Sequence, residues 1–220
     1  MQDLNSILNP EQFYHIYNRA NGNDKLFKKS DNYLYFLLKY KLYILPIADL
    51  YAYCLMPNHF HFLIQVKSET VIEKLLLNHK QNAKYNKTLQ GFETLAGLER
   101  QKIISSYLTK QWSNLFNSYT QAYNKQNNRQ GSLFMRNYKR KKIGDEHYLK
   151  KLIHYIHYNP VKAGLTSEPK KWDFSSYRSV LSNKPTNLMR EEVIALFDDL
   201  ENFKSCHVYS PNLSGIDKYF

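Results

Sequence analysis

The apolar positions of this chain change period several times, and each change marks an element. Residues 13–19 (FYHIYNR) are aromatic and β-branched and predict a strand. Residues 20–29 carry Gly22 among Asn and Asp, which is loop chemistry. Ser30 is placed to cap a helix, with Asp31 in its first turn; Tyr33, Phe36, Leu37, Tyr40 and Ile44 follow at helical spacing until Pro46. Residues 47–56 and 59–66 read as two strands separated only by Pro57 and Asn58, hence a tight antiparallel hairpin. Residues 69–87 read as a helix with Val71, Ile72, Leu75, Leu76 and His79 on one side. A Gly-punctuated connection (90–97), a polar, mostly helical stretch (99–125) and a polar loop (124–131) come next. Residues 133–143 predict one or two strands. Asp145 then starts a helix bearing Tyr148, Leu149, Leu152, Ile153 and Ile156, which Pro160 is expected to stop. A turn at Gly164, a segment with Trp172, Phe174 and Tyr177, and a helix near 190–203 complete the pattern. Mixed strands and helices around a hairpin favour an α+β sheet with helices over it.

Charge narrows the possible partners. The 220 residues carry a formal charge of +12, and the isoelectric point is near 9.5. A chain this basic commonly meets a polyanion, with nucleic acid the first candidate. The 19 tyrosines suit stacking on unpaired bases but equally suit strands and cores, so the count alone selects no tyrosine. Cys54 and Cys206 have no spacing that points to a disulfide framework or thiolate metal site. The first residues lack the pattern of a signal peptide, and no apolar run reaches the length of a membrane span. The expected location is the reducing cytoplasm.

Two short patterns carry chemistry. His59 and His61 alternate with Phe60 and Phe62 on a predicted strand, so both imidazoles face one way and the phenyl rings the other. Two adjacent imidazoles can hold one divalent metal and leave positions open for substrate oxygens. With 8 histidines in the chain, hydrogen-bonded structural histidines are the competing reading. The second pattern is YIHYNP, 155–160. Tyr155 and Asn159 share a helix face, where the amide oxygen can complete a metal shell beside the phenol. A phenol, with a pKa near 10, needs nearby positive charge to act as a nucleophile. Tyr148 and Tyr158 are rivals by spacing alone, and His154 and His157 read as packing residues or phosphate contacts.

Together the pieces resemble a known family. YCLMPNHFHFL (53–63) is similar to the histidine–hydrophobic–histidine signature of the single-tyrosine HUH transposases. QGSLFMRNYKR (130–140), YIHYNPVKAGL (155–165) and WDFSSYR (172–178) resemble the branch called REP-associated tyrosine transposases, as does the opening strand. The resemblance spans roughly residues 12–180. It implies a ferredoxin-like α+β HUH domain with a central antiparallel sheet. His59 and His61 would bind Mg²⁺ or Mn²⁺, Asn159 would be a further ligand, and Tyr155 would be the nucleophile, a choice that spacing left open. The domain is placed at 1–180, with a helical insertion at about 67–130, longer than in compact members, and a C-terminal extension at 181–220.

The implied activity is metal-dependent cleavage and rejoining of single-stranded or hairpin DNA through a 5′-phosphotyrosine, with no nucleotide cofactor and no membrane partner, in a monomer or homodimer. Arg19, Lys139, Arg140, Lys141 and Lys142 are the expected phosphate contacts. Phe134 and Tyr138 are candidates for base stacking or for the core. The alternatives are a hairpin-binding relative that does not cut, a replication or plasmid-mobilisation nuclease with the same chemistry, and an RNA-binding module with structural histidines.

Overall fold

A computed structural model describes residues 5–78 and 97–212. Four antiparallel strands, β1 (Phe13–Arg19), β2 (Ala48–Met56), β3 (His59–Val66) and β4 (Lys139–Ile143), form one sheet in the order β2-β3-β1-β4. This is the ferredoxin-like arrangement, in which each half contributes one central and one edge strand. The hairpin turns at Pro57 and Asn58 as its sequence predicts, with a register shift between Leu50 and Ala52.

The connections are helical. They comprise α1 (Ser30–Tyr43), α2 (Glu69–Asn78) and α3 (Gly97–Gln126). Helix α1 begins one residue earlier in register than Ser30 capping requires. Lys29 occupies the cap, and the Asn32 side chain reaches back to accept from the backbone N–H of Lys28 (3.0 Å) and Lys29 (3.2 Å), while Asn32 N–H donates to the Lys29 carbonyl (3.0 Å). The expected 67–130 insertion supplies α2 and α3; the part at 79–96 lies outside the described residues. Helix α3 packs with α1 on one sheet face. There Tyr40 stacks on Phe62 (4.4 Å between ring centroids), and Trp112 and Phe116 meet Phe62 and Phe60.

Helix α4 (Glu146–Lys162) covers the opposite face. Asp145 caps it, accepting from the His147 N–H at 3.0 Å. Pro160 does not stop it. A proline forfeits a single ladder bond, and the helix closes two residues later, where Gly164 takes φ +69°. Gly164 N–H then bonds the Val161 carbonyl and Leu165 N–H the Pro160 carbonyl, both at 2.9 Å, which satisfies the last turn.

The chain beyond α4 seals the β2 edge. Leu55 N–H donates to Phe174 O (2.9 Å), Trp172 Nε1 donates to Leu55 O (3.1 Å), and Met189 N–H donates to Leu50 O (2.8 Å). The helix expected near 190–203 is two helices, α6 (Arg190–Leu196) and α7 (Leu200–Cys206), after a short α5 (Tyr177–Val180). The break falls where Asp198 adopts φ +72° and Asp199 caps α7 through the Asn202 N–H. Val193 and Phe203 are fully buried, so this extension is part of the packed body. Among the described residues no helix is long and apolar enough to cross a membrane.

Candidate active site

Strand alternation sends Phe60 and Phe62 to the α1–α3 face and both His59 and His61 to the α4 face. The histidine rings lie 5.2 Å apart, centroid to centroid. Leu149, Leu152, Ile153 and Ile156 bury the inner side of α4 and thereby set its rotation. That rotation brings Tyr155, nearly a hundred residues downstream, against His61, edge to face at 5.4 Å. Asn159, one turn on, is buried; its Nδ2 donates to Tyr155 O at 3.0 Å, leaving the amide oxygen as the group suited to a ligand. Tyr158 sits instead beside His154. Tyr148 lies on the site side of α4 but is engaged by Lys141, whose Nζ donates to its hydroxyl at 2.8 Å.

The imidazoles are held neutral. Burial pushes His59 down to about 4, with Arg19 adding to the effect, and pushes His61 well below its ordinary value, with His15, His59 and Lys162 adding to it. His59 Nδ1 bonds Asn58 Oδ1 (2.7 Å) and His61 Nδ1 bonds His15 Nε2 (2.9 Å). With Nδ1 carrying the orienting bond in both rings, Nε2 is the nitrogen suited to coordination. Two neutral imidazoles plus an amide oxygen fit a divalent cation that takes its remaining ligands from water and phosphate. Among the described residues no group of three or more His, Cys, Asp and Glu side chains could hold a metal, so no carboxylate contributes. Tyr155 is 5 % exposed, and burial raises its pKa, partly offset by the Asn159 side chain. The Lys162 ammonium lies 5.9 Å from the Tyr155 ring centroid.

His15 and Lys162 escape a reading based on motifs. His15 stacks on His61 at 5.1 Å. Its signal was present in the alternation of FYHIYNR, which puts Phe13, His15, Tyr17 and Arg19 on one face, but the cross-strand partner is visible only in the register, where Tyr17 faces His61 and Arg19 faces His59. Lys162 lies two turns beyond Tyr155 on the same helix face.

The basic run divides across the sheet. Lys139 and Lys141 pair with Tyr17 and His15 and share the face of the histidines. Arg140 and Lys142 occupy the other face, and Lys142 is exposed. Arg140 is committed internally: it reaches Thr109 (3.4 Å) and Asn5 O (3.2 Å) and lies over the Tyr138 ring. Phe134 and Tyr138 are 6 % and 9 % exposed and form core with Phe116 and Trp112, so the stacking role considered for them is replaced by packing.

The fold and site therefore define a ferredoxin-like α+β domain with a histidine pair on a central strand and a tyrosine helix across it. A solved structure of a REP-associated tyrosine transposase bound to a REP hairpin is similar to it. The likeness has a TM-score of 0.55 and covers 84 % of this chain and 89 % of that one, at 12 % sequence identity. At that identity the likeness establishes the shared fold. No family model and no curated protein matches the sequence.

Proposed function

We propose that this protein is a tyrosine transposase or endonuclease of the REP-associated kind, cutting single-stranded DNA at hairpins with Tyr155 as nucleophile. The observation that carries the reading is the meeting of His61 with Tyr155 across two elements that share no local sequence. The fold likeness to a hairpin-bound transposase and the +12 charge support it.

Tyr155 Oη attacks the scissile phosphorus, the P–O3′ bond breaks, and the 3′ oxygen leaves as a hydroxyl once it gains a proton. The product is a 5′-phosphotyrosine, and attack by a second 3′-OH reverses the step, so the bond energy is conserved without a nucleotide. His59, His61 and Asn159 would hold Mg²⁺ or Mn²⁺, which when bound supplies positive charge to the scissile phosphate. Lys162, its ammonium 5.9 Å from the Tyr155 ring centroid, adds positive charge beside the attacking group. Arg19, Lys139 and Lys141 stand on the same face to hold flanking phosphates.

The test is covalent trapping on labelled stem–loop DNA from the protein's own genomic neighbourhood, with and without Mn²⁺. A denaturation-resistant adduct that requires metal and is absent in Tyr155→Phe supports the reading. An adduct that persists in Tyr155→Phe transfers the role to another tyrosine, Tyr148 first. Tight binding without an adduct identifies a hairpin-binding protein that does not cut.

A further inference from the structure

On the opposite sheet face, helix α3 and the 132–138 segment enclose a groove of about 900 Å³. We propose that this groove binds the bases of an unpaired DNA strand that runs on from the cleavage site. The inference rests on the proposed DNA-cleaving function and adds to it a site for reading sequence.

Size comes first. The volume falls within the roughly 300–1,000 Å³ of small-ligand sites, enough for a nucleobase rather than a duplex. Charge then separates this groove from a smaller cleft of about 620 Å³ at the other end of β1. That cleft, near Phe13 and Tyr51, is lined by Glu11, Asp145, Glu146 and Glu192 with no Lys or Arg. The α3 groove is lined by Arg136 and Arg140 with no Asp or Glu. A polyanion is repelled by the first and drawn to the second.

The lining chemistry suits base edges. Asn117 projects from α3 and Asn137 from the facing segment; both are exposed, and among the described residues neither side chain makes a hydrogen bond. An amide presents one donor and one acceptor edge, which matches the donor–acceptor pattern of adenine. The half-buried Phe116 ring and the Met135 side chain, 45 % exposed, offer apolar surfaces for a base plane. The wall is rigid. Phe134 packs on Phe116 at 5.0 Å, and Asn18 Nδ2 donates to Met135 O at 3.1 Å.

The groove also borders the strand that carries the edge of the candidate active site. Asn18 lines it, and the next residue, Arg19, pairs across the sheet with His59. Met135 N–H donates to Arg19 O at 2.9 Å, so the 132–138 segment is fastened to the end of β1. A strand leaving the histidine face over that end meets Arg19 first and the groove next.

The test compares three fluorescein-labelled DNAs by anisotropy: a blunt stem–loop, the stem–loop with a mixed-sequence single-stranded extension of about ten nucleotides, and the same with an abasic extension. The variant is Asn117→Ala with Asn137→Gly. It leaves the charge unchanged and keeps the left-handed backbone at 137 (φ +62°). Wild type should prefer the base-bearing extension, and the variant should lose roughly tenfold on that DNA and nothing on the abasic one. Equal affinity of wild type for both extensions, or equal losses on both, overturns the proposal. Trapping the variant's adduct at saturating protein separates the two claims. An unaltered adduct yield with no base-dependent loss removes the groove and leaves the nuclease, whereas a base-dependent loss without any wild-type adduct removes the cleavage reading and leaves the groove.

Discussion

Acid should unfold this protein by charging imidazoles that the fold keeps neutral. Behind α4, His157 Nε2 accepts from Ser176 Oγ–H (2.7 Å), its Nδ1–H donates to His207 Nε2 (3.0 Å), and His207 Nδ1–H donates to Phe203 O (2.7 Å). A proton added to His207 Nε2 displaces the His157 Nδ1–H that it accepts, and one added to His157 Nε2 turns the Ser176 hydroxyl away from the ring toward Tyr53 O (3.3 Å). Burial holds His207 at about 3, and His15, on the other side of α4, also at about 3. The folded state therefore binds fewer protons than the unfolded state below pH ~6.5. Stability is complete above that value and is lost as pH falls toward the folded pKa. At about pH 5 each of these two groups costs roughly 2 kcal/mol, and the pair about 4, against a total stability on the order of 5–15 kcal/mol. His157 and His61, fully buried and shifted the same way, steepen the loss. Urea unfolding between about pH 8 and pH 5, with chelator present, measures it. His207→Gln keeps a donor and an acceptor in the relay and should remove about 1.4 kcal/mol per pH unit from the slope. A wild-type stability that changes by less than about 1 kcal/mol across that range would refute the neutral relay.

Further outcomes follow from the site. Because Arg19 and Lys162 stand beside the two histidines and, among the described residues, no carboxylate joins them in a metal-binding group, Mn²⁺ should bind weakly to the protein alone and roughly tenfold or more tightly in the presence of single-stranded DNA, whose phosphate supplies negative charge; equal affinities by calorimetry would contradict this. His15→Ala removes the partner of His61 Nδ1 and should weaken Mn²⁺ binding in that complex by about 10–100-fold, with partial recovery in His15→Gln. Since the Tyr155 pKa is raised, single-turnover adduct formation should climb by up to about tenfold per pH unit above neutrality, and a flat profile would place phenol ionisation outside the slow step. Lys139→Ala should lower the salt slope of DNA binding by about 1, whereas Arg140→Ala, which loses its bonds to Thr109 and Asn5, should lower the melting temperature instead.

The alternation within HFHFLIQV and FYHIYNR determined which side chains leave each face of a strand, and the hairpin at Pro57 and Asn58 followed from its length. These are local properties, set by a two-residue period and by turn chemistry. Local signals failed where several residues offered the same service. Lys29 took the cap position in place of Ser30, Pro160 was absorbed into α4, and Asp198 divided a helix that apolar spacing made continuous. Three further facts belong to the tertiary structure alone. Tyr155 rather than Tyr158 meets the histidines because the buried face of α4 sets its rotation. His15 joins the site because β1 pairs with β3 in one register. Arg140 turns inward while its neighbours Lys139 and Lys141 face the histidines, because β4 docks on β1 and α3 closes over one side only. Each depends on a contact between segments distant in sequence, and such contacts are fixed only when the core closes.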